Sequence, residues 1–278
     1  MRKTWELVNK AGKTLRDDGA KELLVKTKNY TIFQIEKRRR KDEAKDILFV
    51  NGCTLPHPER YRVDHQIEQL ESNGLSCDKI LYTDLDPTKI KYYRGVVFFR
   101  CPITNEIKET IRLAKYFNKV VFFDIDDLVI DKRYTDNIEY VKQMNSADKA
   151  IYDDGVVRMG KTMELCDYCI TTTKALAREL KKYKKEVYIN RNVASEQMAK
   201  LSLEALDAVQ KDTGKVRIGY LSGSITHNPD FELIKPAIIK IMDEYKNVEL
   251  VVMGHLDLSD DLARFGSRII KQPFGGWE

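Results

Sequence analysis

Three carboxylates, Asp124, Asp126 and Asp127, follow two aromatic residues in the stretch FFDIDDLVI at 122–130. Paired carboxylates at the end of an apolar strand can act as a phosphoryl-accepting nucleophile with its general acid, or as oxygen ligands of a divalent cation. They can also line a cleft without taking part in a reaction. We treat the three acids as candidate catalytic residues, and the surrounding elements must decide among these roles.

A second stretch, GYLSGSITHN at 219–228, combines small residues, hydroxyls and a histidine. It follows an apolar strand that we expect to end at Gly219, and a helix is predicted to begin near Asp230. Exposed backbone N–H groups and a helix N-terminus suit a diphosphate. The stretch matches neither the Walker pattern nor the dinucleotide fingerprint, so an ordinary strand-to-helix turn remains the alternative. The candidate diphosphate-binding residues are Gly219, Ser222, Gly223 and Ser224, and His227 beside them is a candidate catalytic residue.

A third stretch, NGCTLPHPERYR at 51–62, follows the first predicted strand. Ligands of open α/β sheets gather at the carboxyl ends of the strands. Arg60 and Arg62 can therefore meet an acceptor phosphate there, or serve as solvated charges at the start of a helix. Asn51 and Gly52, at the strand end itself, complete the candidate acceptor-binding set.

Short apolar runs alternate with amphipathic helical stretches from residue 46 onward. Continuous runs of Val, Ile and Phe are typical of parallel strands that are buried on both faces. We therefore predict an α/β protein with two Rossmann-like parallel-sheet domains, the second of them incomplete. The expected parts are a basic helical segment at 1–45, a first domain at 46–205 and a second domain at 206–278.

The positive charge of the chain is concentrated at its start. Residues 1–45 hold 14 Lys and Arg against 7 Asp and Glu, with the run KRRRK at 37–41. Such a run is most often solvated, but it also favours an anionic membrane surface. The lack of interleaved aromatic residues argues against nucleic acid. Without an apolar leader or an apolar stretch long enough to span a membrane, we expect a cytoplasmic protein, possible membrane association being confined to this segment.

The five cysteines do not have the spacing of a disulfide framework, which suits a reducing compartment. The pair in CDYC, Cys166 and Cys169, is predicted to lie at a helix end and in a strand. A zinc or redox site needs a second pair or a CxxC that opens a helix. We therefore expect two buried thiols.

The segment TTTKALARELKKYKKEVYINRNV at 171–193 resembles the end of the first domain in GT-B glycosyltransferases of the large retaining family that includes sucrose synthase, glycosyltransferase family 4. The matching residues are Leu176, Ala177, Leu180, Val187, Ile189 and Asn192, although Arg191 replaces the usual Pro. IGYLSGSITHNPD is similar to the loop that opens the donor domain in bacterial members, with the pattern SG(S/T)xxHxxD. FDIDDLV resembles the corresponding strand end of the first domain.

This resemblance implies a GT-B-like enzyme of bacterial surface-polysaccharide synthesis. Its substrate would be a UDP-, GDP- or dTDP-sugar held by the second domain, with Asn192 contributing, and its acceptor a glycan or a lipid-linked glycan bound by the first domain. Neither a metal nor a tightly bound cofactor is implied. Family members continue past the PFGGW stretch at 273–277 into a motif with two glutamates. The resemblance therefore also implies a truncated donor domain, and activity of this chain alone is in doubt.

Two alternatives stay open. In HAD phosphatases an apolar strand is followed by DxDx(T/V), so Asp124 would be the nucleophile and Asp126 the general acid. Leu128, the late position of the strand and His255 in place of an acidic residue count against this family. The other alternative is a catalytically inactive nucleotide-binding module with the same fold.

Overall fold

The computed structural model describes residues 44–53, 55–208, 214–223 and 227–273, with isolated positions at 20, 24 and 27. The predicted basic segment at 1–45 therefore lies almost wholly outside the described residues, as do Ser224 and the end of the PFGGW stretch. The described residues form two separate parallel sheets, of six and three strands. None of the described helices has the length and apolar composition that a membrane span requires.

The first sheet has the strand order β2-β1-β3-β4-β5-β6. Its strands are β1 (Lys45–Asn51), β2 (Cys77–Leu81), β3 (Tyr93–Phe99), β4 (Val120–Asp124), β5 (Tyr168–Thr171) and β6 (Val187–Ile189). All neighbours are parallel, and Val50, Phe98 and Phe123 lie side by side in register. The central strands β3 and β4 contain the continuous apolar runs GVVFF and VVFF because helices cover them, as expected for a doubly wound sheet. The chain reverses direction of strand addition between β1 and β3, where ligands of such sheets bind.

The helices alternate with the strands. They are α1 (Pro56–Glu59), α2 (His65–Glu71), α3 (Asn105–Tyr116), α4 (Lys132–Thr135), α5 (Glu139–Lys142), α6 (Ser146–Leu165), α7 (Lys174–Leu180), α8 (Glu196–Ala208) and α9 (Asn228–Glu244). A π-helical turn, Arg60–Asp64, joins α1 to α2. Short 3-10 helices lie at Tyr82–Asp84, Pro87–Tyr92 and Asp260–Arg268.

One face of the first sheet packs on α3, α6 and α7. Thr104 caps α3 by accepting a hydrogen bond from the backbone N–H of Ile107, and the apolar stripe of the helix faces the sheet. Cys166 and Cys169 are buried in this layer, in the positions expected from the sequence. All five cysteines are buried free thiols in this structure.

The opposite face of the first sheet is covered around β1 and β3 by the helical stretch of α1, the π-helical turn and α2. Val63 from the turn packs with Phe49, Val97 and Phe99 of the sheet. The side chains on either side of Val63 in this stretch, Arg62 and the polar residues of α2, therefore lie over the strand ends. This stretch determines what surrounds the carboxyl ends of β1 and β4.

The second sheet has the order β7-β8-β9, with β7 (Val216–Ser222), β8 (Val248–Gly254) and β9 (Ile269–Gln272). Its core lies on one face, where Phe231, Ile238 and Met242 of α9 pack on Leu250 and its neighbours. Alternate residues of β7 are exposed on the other face. This sheet is thus packed by helices on a single side within the described residues.

The two sheets belong to two compact units. The first contains Met1–Thr135 and Ala147–Ser195, and the second Asp136–Ser146 and Glu196–Glu278. The predicted α/β class with two Rossmann-like parallel sheets is confirmed, and the second sheet has only three described strands. Helix α8 groups with the second unit, and the predicted boundary at 205 lies within this helix.

Candidate functional site

Asp124, the last residue of β4, is buried in a hydrogen-bonded cluster. Arg62 Nη2 lies 2.8 Å from Asp124 Oδ2, and both side chains have 0% exposed surface. Arg62 Nε donates to Asp124 Oδ1 at 3.0 Å. Gln66 Nε2 donates to Asp124 Oδ2 at 2.6 Å. The carboxylate therefore has both oxygens occupied by the helix that covers the strand end.

Arg62 also holds the chain that leaves β6. Its Nη1 donates to the backbone carbonyl of Asn190 at 2.7 Å and to Asn192 Oδ1 at 3.1 Å. His65, one helical turn on, has its Nδ1 2.9 Å from the carbonyl of Val193, which requires the tautomer protonated at Nδ1. One face of the helix thus joins the end of β4 to residues 190–193.

Burial raises the pKa of Asp124 from 3.8 to about 6, and the charge of Arg62 and the hydrogen bond from Gln66 oppose this rise. Desolvation disfavours the charged carboxylate, whereas a cation in contact with it favours the charge. At neutral pH the group is therefore mostly ionised and paired with Arg62. A buried pair of this kind loses much of its attraction to the desolvation of both charges.

Asp126 and Asp127 belong to a different contact. Arg100, just past β3, donates from Nε to Asp126 at 2.6 Å and from Nη2 to Asp127 at 2.8 Å. The Asp126 side chain is 16% exposed and that of Asp127 is 65% exposed. Arg100 adopts a positive φ of 46°, which is uncommon outside glycine. These two acids are therefore the ones that remain at the surface of this edge.

The geometry corrects the expectation that Asp124 lines an open cleft. Strand β4 ends at Asp124, so Asp126 does not continue its alternation, and the two carboxylates contact different arginines. Among the described residues, no group of three acidic, histidine or cysteine side chains is arranged to hold a metal. A nucleophile in the manner of a HAD phosphatase needs access to its substrate, which the Asp124 carboxylate lacks in this arrangement.

The predicted acceptor-binding set is also largely internal. Asn51 is fully buried, and its Oδ1 accepts a hydrogen bond from the Cys53 N–H at 2.9 Å. Arg62 has no exposed surface and is occupied as described above. The expectation that Asn51 and Arg62 face an acceptor is therefore corrected. Arg60 is half-buried and stays a candidate.

Gly52 packs against the neighbouring strand end. A Cβ at this position would lie 2.5 Å from the carbonyl oxygen of Arg100 and 2.5 Å from the Cα of Cys101. The Gly52 N–H also donates to the carbonyl of Phe99 at 2.8 Å. Glycine is required here by the close approach of two backbones at the point where the strand order reverses, which explains the residue without a ligand.

The second unit places three of its candidates around the carboxyl end of β7. Ser222 is buried, and its Oγ donates to the carbonyl of His255, which follows β8, at 2.6 Å. Gly223 is exposed beyond it. His227 precedes α9, with its Nδ1 3.0 Å from Asp230 Oδ2 and a side chain that is 51% exposed. Ser222, Gly223 and His227 thus occupy a strand end and the start of a 17-residue helix.

Gly219 does not belong to this loop. Strand β7 continues three residues past it to Ser222, and Gly219 is paired in register with Val251. The sequence interpretation was wrong here because a glycine after an apolar run was taken as the strand end. Ser224 lies outside the described residues. Asn192 is exposed and accepts the hydrogen bond from Arg62, and a role in binding the nucleotide stays a prediction.

Sequence reasoning missed Gln66, His65 and Arg100. Gln66 lies four residues after Arg62, so it extends from the same face of the helical stretch, and this spacing is a usable signal. His65, three residues after Arg62, is buried as well. Arg100 directly follows a buried strand, which in a parallel sheet places it at the same edge as Asp126.

Several solved structures are similar to this chain at low sequence identity. HepE of Anabaena, in complex with UDP and glucose, is 9% identical over 84% of this chain and 70% of its own, with a TM-score of 0.41. A putative UDP-N-acetylglucosamine 2-epimerase from Listeria monocytogenes is 14% identical over 84% and 70%, with a TM-score of 0.45. A UDP-glucosyltransferase from Polygonum tinctorium is 11% identical over 84% and 72%, with a TM-score of 0.40.

The scan against protein-family models gave no match, and neither did the search of curated proteins. The TM-scores of these three similarities lie below 0.5. The assignment of the fold therefore rests on the parallel register of the two sheets themselves.

Proposed function

We propose that this protein binds a nucleotide-sugar at the carboxyl end of β7 and transfers the sugar to an acceptor, as a glycosyltransferase of GT-B type. The observation that carries the proposal is the combination of Ser222, Gly223 and His227 at one strand end that leads into α9. The resemblance of IGYLSGSITHNPD to a donor-domain loop supports the same site.

The chemistry of this strand end suits a diphosphate. The positive end of the α9 dipole and the uncovered backbone at Gly223 favour an anion, and an exposed imidazole can donate to a phosphate oxygen. The Ser222 hydroxyl donates its proton to the carbonyl of His255, and this hydrogen bond joins the end of β7 to the residue that follows β8. Stabilising the negative charge of the departing nucleoside diphosphate is the electrostatic contribution that such a site makes to sugar transfer.

Further parts of the proposal follow from the sequence resemblance alone. They are a UDP-, GDP- or dTDP-sugar as the donor, a glycan or lipid-linked glycan as the acceptor, and a role in bacterial surface-polysaccharide synthesis. Of the predicted acceptor-binding residues, Arg60 remains as the candidate for an acceptor phosphate.

Titration calorimetry with UDP, GDP and dTDP, without added metal, tests the binding step. We expect one of them to bind, and His227→Ala to weaken it roughly tenfold, the value of one charge-assisted hydrogen bond. Gly223→Ala should weaken it too, because an added Cβ meets no atom within 4 Å among the described residues beyond its chain neighbours, and would instead obstruct a ligand. His57→Ala, an exposed histidine in the first unit, is the matched control.

The proposal fails if none of the three diphosphates binds, or if both loop variants bind as the unchanged protein does. Release of nucleoside diphosphate from the bound sugar donor then tests transfer. Binding without turnover identifies the inactive binding module. Mg²⁺-dependent phosphate release that is lost in Asp124→Asn would identify a phosphatase instead.

A further inference from the structure

His227, directly before α9, contacts a carboxylate in the first turn of that helix. Its Nδ1 lies 3.0 Å from Asp230 Oδ2. The His227 side chain is 51% exposed and that of Asp230 is 66% exposed. Within the described part of the chain the ring forms no other hydrogen bond, so Nε2 is the ring nitrogen that a ligand can reach.

The hydrogen bonds of this ring determine its protonation state once a nucleotide is bound. An ionised carboxylate and an ionised phosphate accept hydrogen bonds and donate none. A neutral imidazole has a single N–H, which Asp230 engages at Nδ1, so its Nε2 would be an acceptor facing a phosphate oxygen. The imidazolium has an N–H on each nitrogen, and this form can bind the carboxylate and the phosphate together.

We infer that His227 binds the phosphate as an imidazolium, that Asp230 is its positioning residue, and that each nucleotide bound takes up one proton. The inference rests on the nucleotide site of the proposed function, and it makes the occupancy of that site depend on pH. The proton passes from solvent to Nε2 of His227 on binding and returns to solvent on release. No bond of the nucleotide changes in this step.

The neighbouring titratable groups leave this proton to the imidazole. From β7, the Tyr220 hydroxyl lies 3.4 Å from the carbonyl of His227. Desolvation and the charge of Asp230 raise the pKa of Tyr220, so this hydroxyl stays uncharged near neutral pH. After β8, the Asp257 carboxylate accepts a hydrogen bond from Asn228 Nδ2 at 2.8 Å, and the Asp257 N–H donates to Asn228 Oδ1 at 3.2 Å. Asp257 is thereby held by the first residue of α9.

Asp230 also stabilises α9 itself. It lies in the first turn, where an acidic side chain interacts favourably with the positive end of the helix dipole. The stability of Asp230 variants therefore does not reveal how the residue acts on the ligand. Proton uptake on binding does reveal it, because the contact of Asp230 with the helix dipole is the same in the free and the bound protein.

Titration calorimetry of the full chain counts the protons that are taken up. The probe is whichever of UDP, GDP and dTDP binds. At about pH 8 its phosphate, with a second pKa of about 6, has no proton left to release. Comparing the observed enthalpy in Tris and in HEPES, which differ in ionisation enthalpy, gives the number of protons. We expect about one half to one proton per nucleotide, and an affinity that falls by up to about tenfold for each pH unit above neutrality.

Two substitutions at one position test the role of the carboxylate. In Asp230→Asn the new amide can donate to Nδ1, so a neutral imidazole can carry its proton on Nε2 and bind the phosphate. We expect the proton uptake of this variant to fall below about half of the original value, whereas Asp230→Glu, which keeps the charge, retains most of it. His227→Ala should abolish the uptake. His57→Ala, an exposed histidine in the first unit, is the control that keeps it.

Three results would overturn the inference and leave the proposed function standing. They are nucleotide binding without proton uptake, equal uptake by Asp230→Asn and Asp230→Glu, and uptake that survives in His227→Ala. Loss of the uptake in His255→Ala would also overturn it, because His255 is the other exposed histidine of the second unit. If none of the three diphosphates binds, the proposed function fails and the inference fails with it.

Circular dichroism confirms that each variant is folded. If Asp230→Asn is unfolded, Asp230→Ser replaces it with the same expectation, because a serine hydroxyl can donate to Nδ1 as well.

Discussion

Replacing Arg62 by methionine should destabilise the first unit strongly. Arg62 and Asp124 have 0% exposed side-chain surface, so the substitution leaves a carboxylate in the interior with Gln66 as its remaining side-chain donor. Removing one member of a buried ion pair costs about 3–5 kcal/mol. The bonds to Asn190 and Asn192 are lost as well, which places the expected change in the unfolding free energy within the upper half of that range.

Urea titration followed by far-ultraviolet circular dichroism measures this change. Arg94→Met is the matched control, because Arg94 pairs with Asp46 at the surface of the same unit, where ion pairs contribute little. Arg94→Met should leave the midpoint of the urea transition unchanged. The double substitution of Arg62 by Met and Asp124 by Leu should recover a large part of the loss, since it removes both charges together.

The reasoning is refuted if Arg62→Met costs less than about 1 kcal/mol, which is the value of an exposed pair. It is also refuted if the double variant is no more stable than Arg62→Met. In the first case the Arg62 guanidinium would have to reach water in solution. In the second, the loss would come from packing around the arginine and not from the unpaired carboxylate.

Three further outcomes are expected. In α6, an added Cβ in Gly160→Ala would lie 2.4 Å from the carbonyl oxygen of Ile130, so this substitution should destabilise the protein. At Gly155 of the same helix an added Cβ meets nothing within 4 Å among the described residues outside the backbone of its own helix, so Gly155→Ala should stabilise the protein by up to about 1 kcal/mol in thermal unfolding. Burial raises the pKa of Asp124 from 3.8 to about 6, so the folded state binds this proton more tightly than the unfolded chain does. The resulting contribution to the free energy of unfolding is complete below pH 3.8 and is lost as the pH rises through about 6. Urea titrations of Asp124→Asn across that range should lack this pH-dependent contribution. Thiol titration should be slow in the native protein and complete after denaturation. The reason is that burial raises the thiol pKa values of four of the five cysteines, namely Cys77, Cys101, Cys166 and Cys169.

The strands of the first sheet could be predicted from the sequence because their apolar runs are continuous. KVVFFD and GVVFFR, for example, lie within one residue or two of the observed β4 and β3. An apolar run without alternating polar residues indicates a strand that is buried on both faces, and this is sufficient to place a parallel strand. The end of β7 was missed because a glycine is compatible with both a strand and a turn, and the deciding factor is its partner Val251 on another strand.

The candidate site was harder to predict than the fold. Asp124 was recognised as a strand-end acid, but its burial depends on Arg62, which is 62 positions away in the chain. No local pattern distinguishes an arginine that will be buried against a carboxylate from one that will face solvent. The positions of Ser222, Gly223 and His227 were easier to predict, because they are close in sequence, at the end of β7 and directly before α9.

The contacts of Arg62 have a consequence for the order in which the first unit assembles. Its hydrogen bonds to Asn190 and Asn192 span 128 and 130 positions, about twice the separation of its contact with Asp124. Contacts of long sequence separation form late, because a large loop must close first. During synthesis from the N-terminus, Arg62 can meet Asp124 well before residue 190 has been made. The Arg62–Asp124 pair would then form early, and the hydrogen bonds from Arg62 to Asn190 and Asn192 would form last. Strand β6 would be the strand that completes the sheet.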